Sequence, residues 1–188
     1  MASYISIIRG INVSGQKLIK MTDLRQLYEN LGFEKVTTYL QSGNVLFFST
    51  EKDARVLEEL IASVIKNSFG FDVPVIVLKA ETLEVIIRDN PFVHDEDKDV
   101  SFLYVTFLSA SPLKSPDLEK ILTKRKPREE IAFVSNVVYL YCPNGYRTTK
   151  LNNNFLETKL KVKATTRNWK TTTELLKLAH SVSSHEYQ

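Results

Sequence analysis

Three short stretches of the chain gather polar side chains of the kinds that hold small anions. The first, Arg9-Gly10-Ile11-Asn12-Val13-Ser14-Gly15, directly follows an apolar run. Glycines let a backbone approach an anion, and free amides beside Arg9 and Lys17 can hold a phosphate or carboxylate. The spacing is neither a P-loop nor a dinucleotide fingerprint. A tight strand-to-helix connection, with Arg9 in a structural ion pair, accounts for the same residues without a ligand. The second stretch is Tyr39-Leu40-Gln41-Ser42-Gly43-Asn44-Val45. Gln41 and Asn44 can read an amide-like or base edge, yet Ser, Gly and Asn are also what a hairpin turn needs for itself. The third, Ala164-Thr165-Thr166-Arg167-Asn168-Trp169, packs two hydroxyls, a guanidinium, an amide and the only tryptophan into six residues. Asn168 can cap a following helix, and Trp169 beside Arg167 is either a stacking platform or a packing anchor.

Acid–base and metal chemistry find little support. His94, His180 and His185 are scattered, and no His, Cys or carboxylate cluster has metal-ligand spacing. Cys142 precedes Pro143 without a papain-like or caspase-like context, and no Gly-x-Ser-x-Gly occurs. The acidic loop Asp95 to Asp99 lacks an EF-hand pattern and reads as a solvated connection. Gly43 to Phe48 faintly resembles the aromatic strand of an RNA-recognition module, but Phe47 and Phe48 alternate in face and the basic lead residue is missing. No metal or cofactor is expected, and no catalytic residue can be assigned.

The elements that would carry these stretches follow from periodicity. Tyr4 to Arg9 reads as a strand with Tyr4, Ser6 and Ile8 on one face. Met21, Leu24, Leu27, Tyr28 and Leu31 fall at helical spacing, closed by Gly32. Val36 to Leu40 and Val45 to Ser49 are strands about a turn. Val56 to Ile65 is an amphipathic helix capped by Thr50 or Asp53, and Val73 to Leu78 is a strand. Leu83 to Asp89 is a short helix stopped at Asn90-Pro91. The order then recurs. Ser101 to Leu108 is a strand, Ser115-Pro116 opens a helix, and Ile131 to Val134 and Val137 to Tyr141 form a hairpin. A helix over about Lys150 to Leu160, a short strand at Val162 to Thr165 and a last helix over about Asn168 to Ala179 follow. Thr171 and Glu174 are spaced as a capping box.

The expected fold is therefore α+β: two tandem βαββαβ, ferredoxin-like units with antiparallel sheets, plus a C-terminal helix. The first half spans 1–80, a helical linker 81–100, the second half with its helix 101–180, and a frayed tail 181–188. Helices cover one face of such a sheet. The other face either meets the other half or stays open to bind something.

The 188 residues are 43% apolar and 25% charged, enough to bury roughly 70% of the unfolded surface without a disulfide or metal. One cysteine excludes an internal disulfide framework and suits a reducing compartment. The start has neither a signal-peptide pattern nor, anywhere downstream, an apolar run long enough for a membrane span, so a cytoplasmic location is expected. The net charge of +3 permits an anionic partner without demanding one.

Ile8-Arg9-Gly10-Ile11-Asn12-Val13, Tyr39 to Val45 and Ala164 to Trp169 together resemble the bacterial family known only as domain of unknown function 1697. So do Lys20-Met21 ahead of Leu24-Arg25, Leu31-Gly32-Phe33, Asn90-Pro91-Phe92, and Lys150-Leu151 before Asn154. The resemblance runs from Tyr4 to about Ala179. It implies a bacterial cytosolic protein with a compact α/β fold and no established activity. It also shifts the weight toward function for Arg9, Asn12, Gln41, Ser42, Asn44, Thr166, Arg167, Asn168 and Trp169. Ser14 stands where the family usually shows a second adjacent glycine, which argues against a left-handed backbone there.

Three readings follow. The leading one is a binding module for an anionic ligand, a nucleotide or nucleic acid, with Arg9 and Arg167 on phosphate, Asn12, Gln41 and Asn44 hydrogen bonding, and Trp169 stacking. The second is an enzyme on a small polar or phosphorylated substrate, working without metal or histidine through Lys17, Arg9 or Arg167. The third is a homodimeric interaction protein using an open sheet face or edge.

Overall fold

A computed structural model describes residues 1–112 and 118–184. The chain divides into two compact units, Met1–Val85 together with the chain from Glu174 onward, and Ile86–Thr173. In the first unit the order is β1 (Ala2–Ile8), α1 (Met21–Asn30), β2 (Glu34–Tyr39), β3 (Asn44–Ser49), α2 (Ala54–Phe69) and β4 (Val75–Lys79). Helix α3 (Ala80–Arg88) follows. The second unit carries β5 (Leu103–Leu108), α4 (Leu118–Leu122), β6 (Glu130–Val134), β7 (Val137–Tyr141), α5 (Asn153–Leu160) and β8 (Ala164–Asn168), and α6 (Trp169–Ser184) ends the described chain. The division falls inside α3 and α6.

Each unit is a four-stranded sheet, ordered β2-β3-β1-β4 and β6-β7-β5-β8. Every neighbouring pair is antiparallel. This is the split βαβ arrangement in both halves, so the α+β fold of two βαββαβ units with a C-terminal helix is what the chain adopts. The match extends to single hydrogen bonds. At the end of the first strand Ile8 N–H donates to Gly43 O (2.7 Å) and Arg9 N–H to Pro74 O (2.9 Å). In the second unit Leu108 N–H donates to Asn136 O and Ser109 N–H to Lys163 O, both 2.9 Å.

The alternation of β1 places Tyr4 and Ile8 among the helix-side core of the first unit, with Leu24, Tyr28, Phe47, Leu57 and Ile61. Phe47 is its centre, with ring centroids 5.7 Å from Tyr4, 5.4 Å from Tyr28 and 4.5 Å from Phe33. Truncating such a side chain typically costs about 3–5 kcal/mol. Ser6 lies on the same face and shares a 2.7 Å hydrogen bond with the Tyr28 hydroxyl. Burial pushes the Tyr28 hydroxyl's pKa upward. The opposite face of this sheet is also buried: Ile5, Ile7, Leu46, Ile76 and Leu78 are at most 7% exposed. In the second unit Leu103, Val105, Phe107, Val137 and Tyr139 are equally buried.

Several boundaries moved. Asn152, not the chain near Lys150, starts α5, its side chain accepting from Phe155 N–H. β8 begins at Ala164 and runs to Asn168. The cap of α6 is Asn168, whose Oδ1 accepts from Thr171 N–H at 2.8 Å, so Thr171 and Glu174 form no capping box. That helix continues to Ser184, past the expected frayed start at 181. Asp53, one of two candidates, caps α2. The Ser115-Pro116 start lies outside the described residues.

Two features of the first unit carry measurable consequences. Gly43 has φ +73°, and a Cβ there would lie 2.8 Å from Ile8 Cβ and 3.0 Å from Ile8 O. Gly43→Ala is expected to lower stability by about 3 kcal/mol, read from urea unfolding, since it combines a left-handed backbone with overpacking against a strand. The second is Glu58 on α2, whose Oε1 accepts from the Val77 N–H of edge strand β4 at 2.8 Å. Burial raises the Glu58 pKa, against the pull of that amide. A raised folded value means the contribution is favourable below the unfolded pKa and is lost as pH rises through the folded one. Glu58→Gln keeps an acceptor and removes the charge. It is expected to stabilise at neutral pH, with the gain over wild type vanishing on acidification. Glu58→Ala orphans the amide and is expected to cost about 1 kcal/mol. Thermal melts across pH separate the two.

Candidate functional site

The first two polar stretches meet in the first unit, and one side chain joins them. Between Gly10 and Lys17 the backbone turns repeatedly into the left-handed region: Gly10 at φ +73°, Asn12 +55°, Ser14 +51°, Gly15 +74° and Lys17 +47°. Ser14 therefore takes the left-handed backbone that its missing glycine argued against. Asn12 tolerates this conformation best among non-glycines because its amide can bond locally. Its Nδ2 donates to Ile19 O and to Gln41 O, each at 2.9 Å, and its Oδ1 accepts from Ile19 N–H at 2.8 Å. Both amide hydrogens are thus spent on fastening the loop to itself and to the hairpin. Lys17 is spent similarly, its Nζ donating to Asp72 O at 2.9 Å.

On the hairpin, Asn44 is fully buried, and its Nδ2 donates to Tyr39 O (3.2 Å) and Ser42 Oγ (2.9 Å). Asn44 and Ser42 close the turn. Gln41 is exposed, and so is Leu40, at 55% with φ +58°. Arg9 is half-buried at the end of β1.

The space between loop and hairpin is a groove of ≈ 450 Å³ lined by Asn12, Leu18, Ile19, Lys20, Met21, Thr22 and Gln41. Its floor is the start of α1. The N-cap of that helix is Lys20, and no side chain caps its first turn. Lys20 O accepts from Asp23 N–H (3.1 Å) and Leu24 N–H (3.0 Å), while the first amides of any helix lack an intrahelical partner. Exposed Lys20 and the 66% exposed Leu18 stand at the rim. Residue-by-residue reading of the sequence missed Lys20 as a site residue. The available signal was an absence: Lys20-Met21-Thr22 has no Ser, Asp or Asn where a capping residue belongs. No carboxylate or histidine lines this groove, so it lacks an acid–base pair.

The third stretch lies in the second unit. Thr166 Oγ1 is a hub: it donates to Asn153 Oδ1 (2.6 Å), accepts from the Tyr146 hydroxyl (3.0 Å) and shares a 2.7 Å bond with Thr106 Oγ1. With its one hydrogen on Asn153, Thr106 must be the donor in that last bond. Asn168 caps α6, and buried Trp169 is the first residue of that helix. Arg167 is half-buried, its Nη1 donating to Thr166 O at 3.0 Å. Burial pulls its guanidinium pKa down to about 10. Thr165 is fully buried and its hydroxyl has no hydrogen-bond partner.

Other chemical groups are accounted for internally. Cys142 is fully buried, and burial, aided by the charge of Glu129, pushes its thiol up to about 12. Such a thiol is inert. The acidic loop already holds a cation of the chain: Lys98 pairs with Asp95 and with Glu130 (2.9 Å), its ammonium 5.8 Å from the Phe92 ring and 5.5 Å from that of Tyr141. Among the described residues no group of His, Cys, Asp or Glu is placed to hold a metal, and no helix is long and apolar enough to cross a membrane.

No curated protein matches the chain. A solved structure described as the conserved bacterial protein SP0830 from Streptococcus pneumoniae is similar, with a TM-score of 0.69 and 24% identity over 95% of this chain and 98% of that one. At that identity the likeness speaks for the fold. The family described as protein of unknown function (DUF1697) matches residues 1–139, which takes in the loop, the hairpin and the uncapped start of α1 but not the third stretch. The chain belongs to that family.

Proposed function

We infer that the protein is a cytosolic binding module for an anionic ligand, a nucleotide or a nucleic-acid phosphate, taken up in the groove at the start of α1. One observation carries the reading. The first turn of a ten-residue helix has no capping side chain, has a lysine at its N-cap, and opens into a groove framed by the two polar stretches. A helix start left in that condition offers aligned amides and the positive end of the macrodipole to an anion. The loop and hairpin act as its frame. Asn12 locks the two together, so the groove's width is set before any ligand arrives. Gln41 and Lys20 supply the adjustable polar contacts, and Leu18 offers an apolar rim for the remainder of a nucleotide-like molecule. Asp23, in the same first turn, favours the helix but opposes a second negative charge. That favours a ligand seated over Met21 and Thr22.

Binding is expected to show in amide chemical shifts. Titration with ATP, and separately with inorganic phosphate, should move the Met21 and Thr22 amide resonances and weaken as salt rises. Lys20→Glu should reduce affinity roughly fivefold to tenfold at low salt, the effect of reversing one charge beside a helix terminus. Its fold should be unchanged. Shifts confined to distant residues, or affinity indifferent to both salt and Lys20→Glu, would dispose of the reading.

A further inference from the structure

The second unit carries a basic turn that the polar stretches do not include. Residues 120–128 read Lys-Ile-Leu-Thr-Lys-Arg-Lys-Pro-Arg, five cations in nine positions. A charge run of this kind is usually a solvated face. Four features set this one apart.

The backbone is fixed. Thr123 N–H donates to Glu119 O (3.0 Å), Lys124 N–H to Ile121 O (3.0 Å) and Arg125 N–H to Leu122 O (3.3 Å). Lys126 and Glu129 then close a four-residue turn twice over, with Glu129 N–H donating to Lys126 O (3.0 Å) and Lys126 N–H to Glu129 Oε2 (2.8 Å). The turn borders a shallow, open depression of ≈ 430 Å³ lined by Leu122, Arg125, Lys126, Pro127, Arg128 and Glu129.

The conformation of Arg128 is unusual for its residue type. Proline at the second position and a positive φ at the third is the type II pattern, in which glycine or asparagine normally takes the third place. Here it is Arg128, at φ +68°. A glycine would hold this shape without strain, so the arginine is kept there at a cost in backbone energy. Finally, among the described residues four of the five cations have no carboxylate partner, and the one side-chain hydrogen bond among these four is from Arg125 Nε to the Leu122 carbonyl at 3.1 Å. Among the described residues none of Lys124, Arg125, Lys126 or Arg128 forms an ion pair. Glu129 is only 3% exposed, with one oxygen committed to the turn, and the nearby Glu130 is taken by Lys98.

We propose that this turn is a binding site for the phosphodiester backbone of single-stranded nucleic acid, read without regard to base. A curved rim of arginine and lysine without carboxylate partners follows successive phosphates. The lining contains no aromatic ring on which a base would stack, so contact is with the backbone and is sequence-independent. The site is separate in residues from the α1 groove and stands or falls without it.

The test is fluorescence anisotropy of the full chain with a labelled single-stranded thymidine oligonucleotide, between about 50 and 200 mM salt. The informative variant is Arg125→Gln/Arg128→Gly, because glycine suits the left-handed position and should leave the turn intact or slightly stabilised. It is expected to weaken binding roughly tenfold and to flatten the log–log salt dependence by about 1.4, or about 0.7 per lost phosphate contact. Arg55→Gln, an exposed change on α2 that lines neither groove, should leave this slope unchanged. An adenine-rich oligonucleotide of equal length should bind alike. Three results would overturn the proposal: no oligonucleotide binding by the wild type, equal affinity and slope in the double variant, or full displacement by millimolar inorganic phosphate, which marks a single-phosphate pocket instead.

Discussion

The first unit is organised around one close approach of backbone to backbone, where the hairpin passes over the end of β1. Ile8 N–H reaches Gly43 O at 2.7 Å, and the missing side chain of Gly43 is what admits the strand. Everything on that side of the molecule follows from it. The hairpin must cross there, so Gln41 is delivered to the loop that leaves β1, and Asn12 can reach its carbonyl. The loop must then turn back within a few residues to begin α1, which explains the run of left-handed conformations from Gly10 to Lys17. Conformational strain at Ser14, Lys17 and Leu40 is tolerated because Asn12 and Asn44 hold both ends of the arrangement with saturated amides.

The duplicated architecture was legible because it depends on period and punctuation, which one sequence displays. Alternation over Tyr4 to Ile8 and helical spacing over Leu24 to Leu31 each admit a single reading. The less regular places were misjudged for physical reasons. Ala164 to Asn168 is a threonine-rich strand whose apolar content is too low to mark its limits, so its end falls later than the expected Thr165, while of the two caps the sequence offers for α6, Asn168 is the one used and Thr171 is not. Asn152 starts α5 through its side chain, a local choice that competes with Lys150-Leu151 on no clear pattern.

The candidate site was legible only as a set of polar stretches. That Asn12 and Asn44 belong to the framework follows from which carbonyls they face, with Ser42 accepting from Asn44, and a sequence does not display carbonyls. Lys20 escaped notice because its role comes from a residue type that is missing beside it. The basic turn at Lys124 to Arg128 was averaged into a chain whose lysines and glutamates alternate elsewhere. Its distinctness depends on where Glu129 and Glu130 direct their charge, one into the turn and the other onto Lys98.

The two units also share a less visible device. In the first, a glutamate on the second helix takes an amide of the outer strand β4, and in the second Glu157 does the same for Ala164 of β8, at 2.9 Å. An outer strand is otherwise a template on which a foreign strand can extend the sheet. Each carboxylate removes a rung from that template and puts negative charge beside it. Lateral growth into fibrils, the standing hazard of a chain with two open sheets, is thus obstructed on the outer strand of each half by a glutamate of its second helix, at positions two residues apart in register.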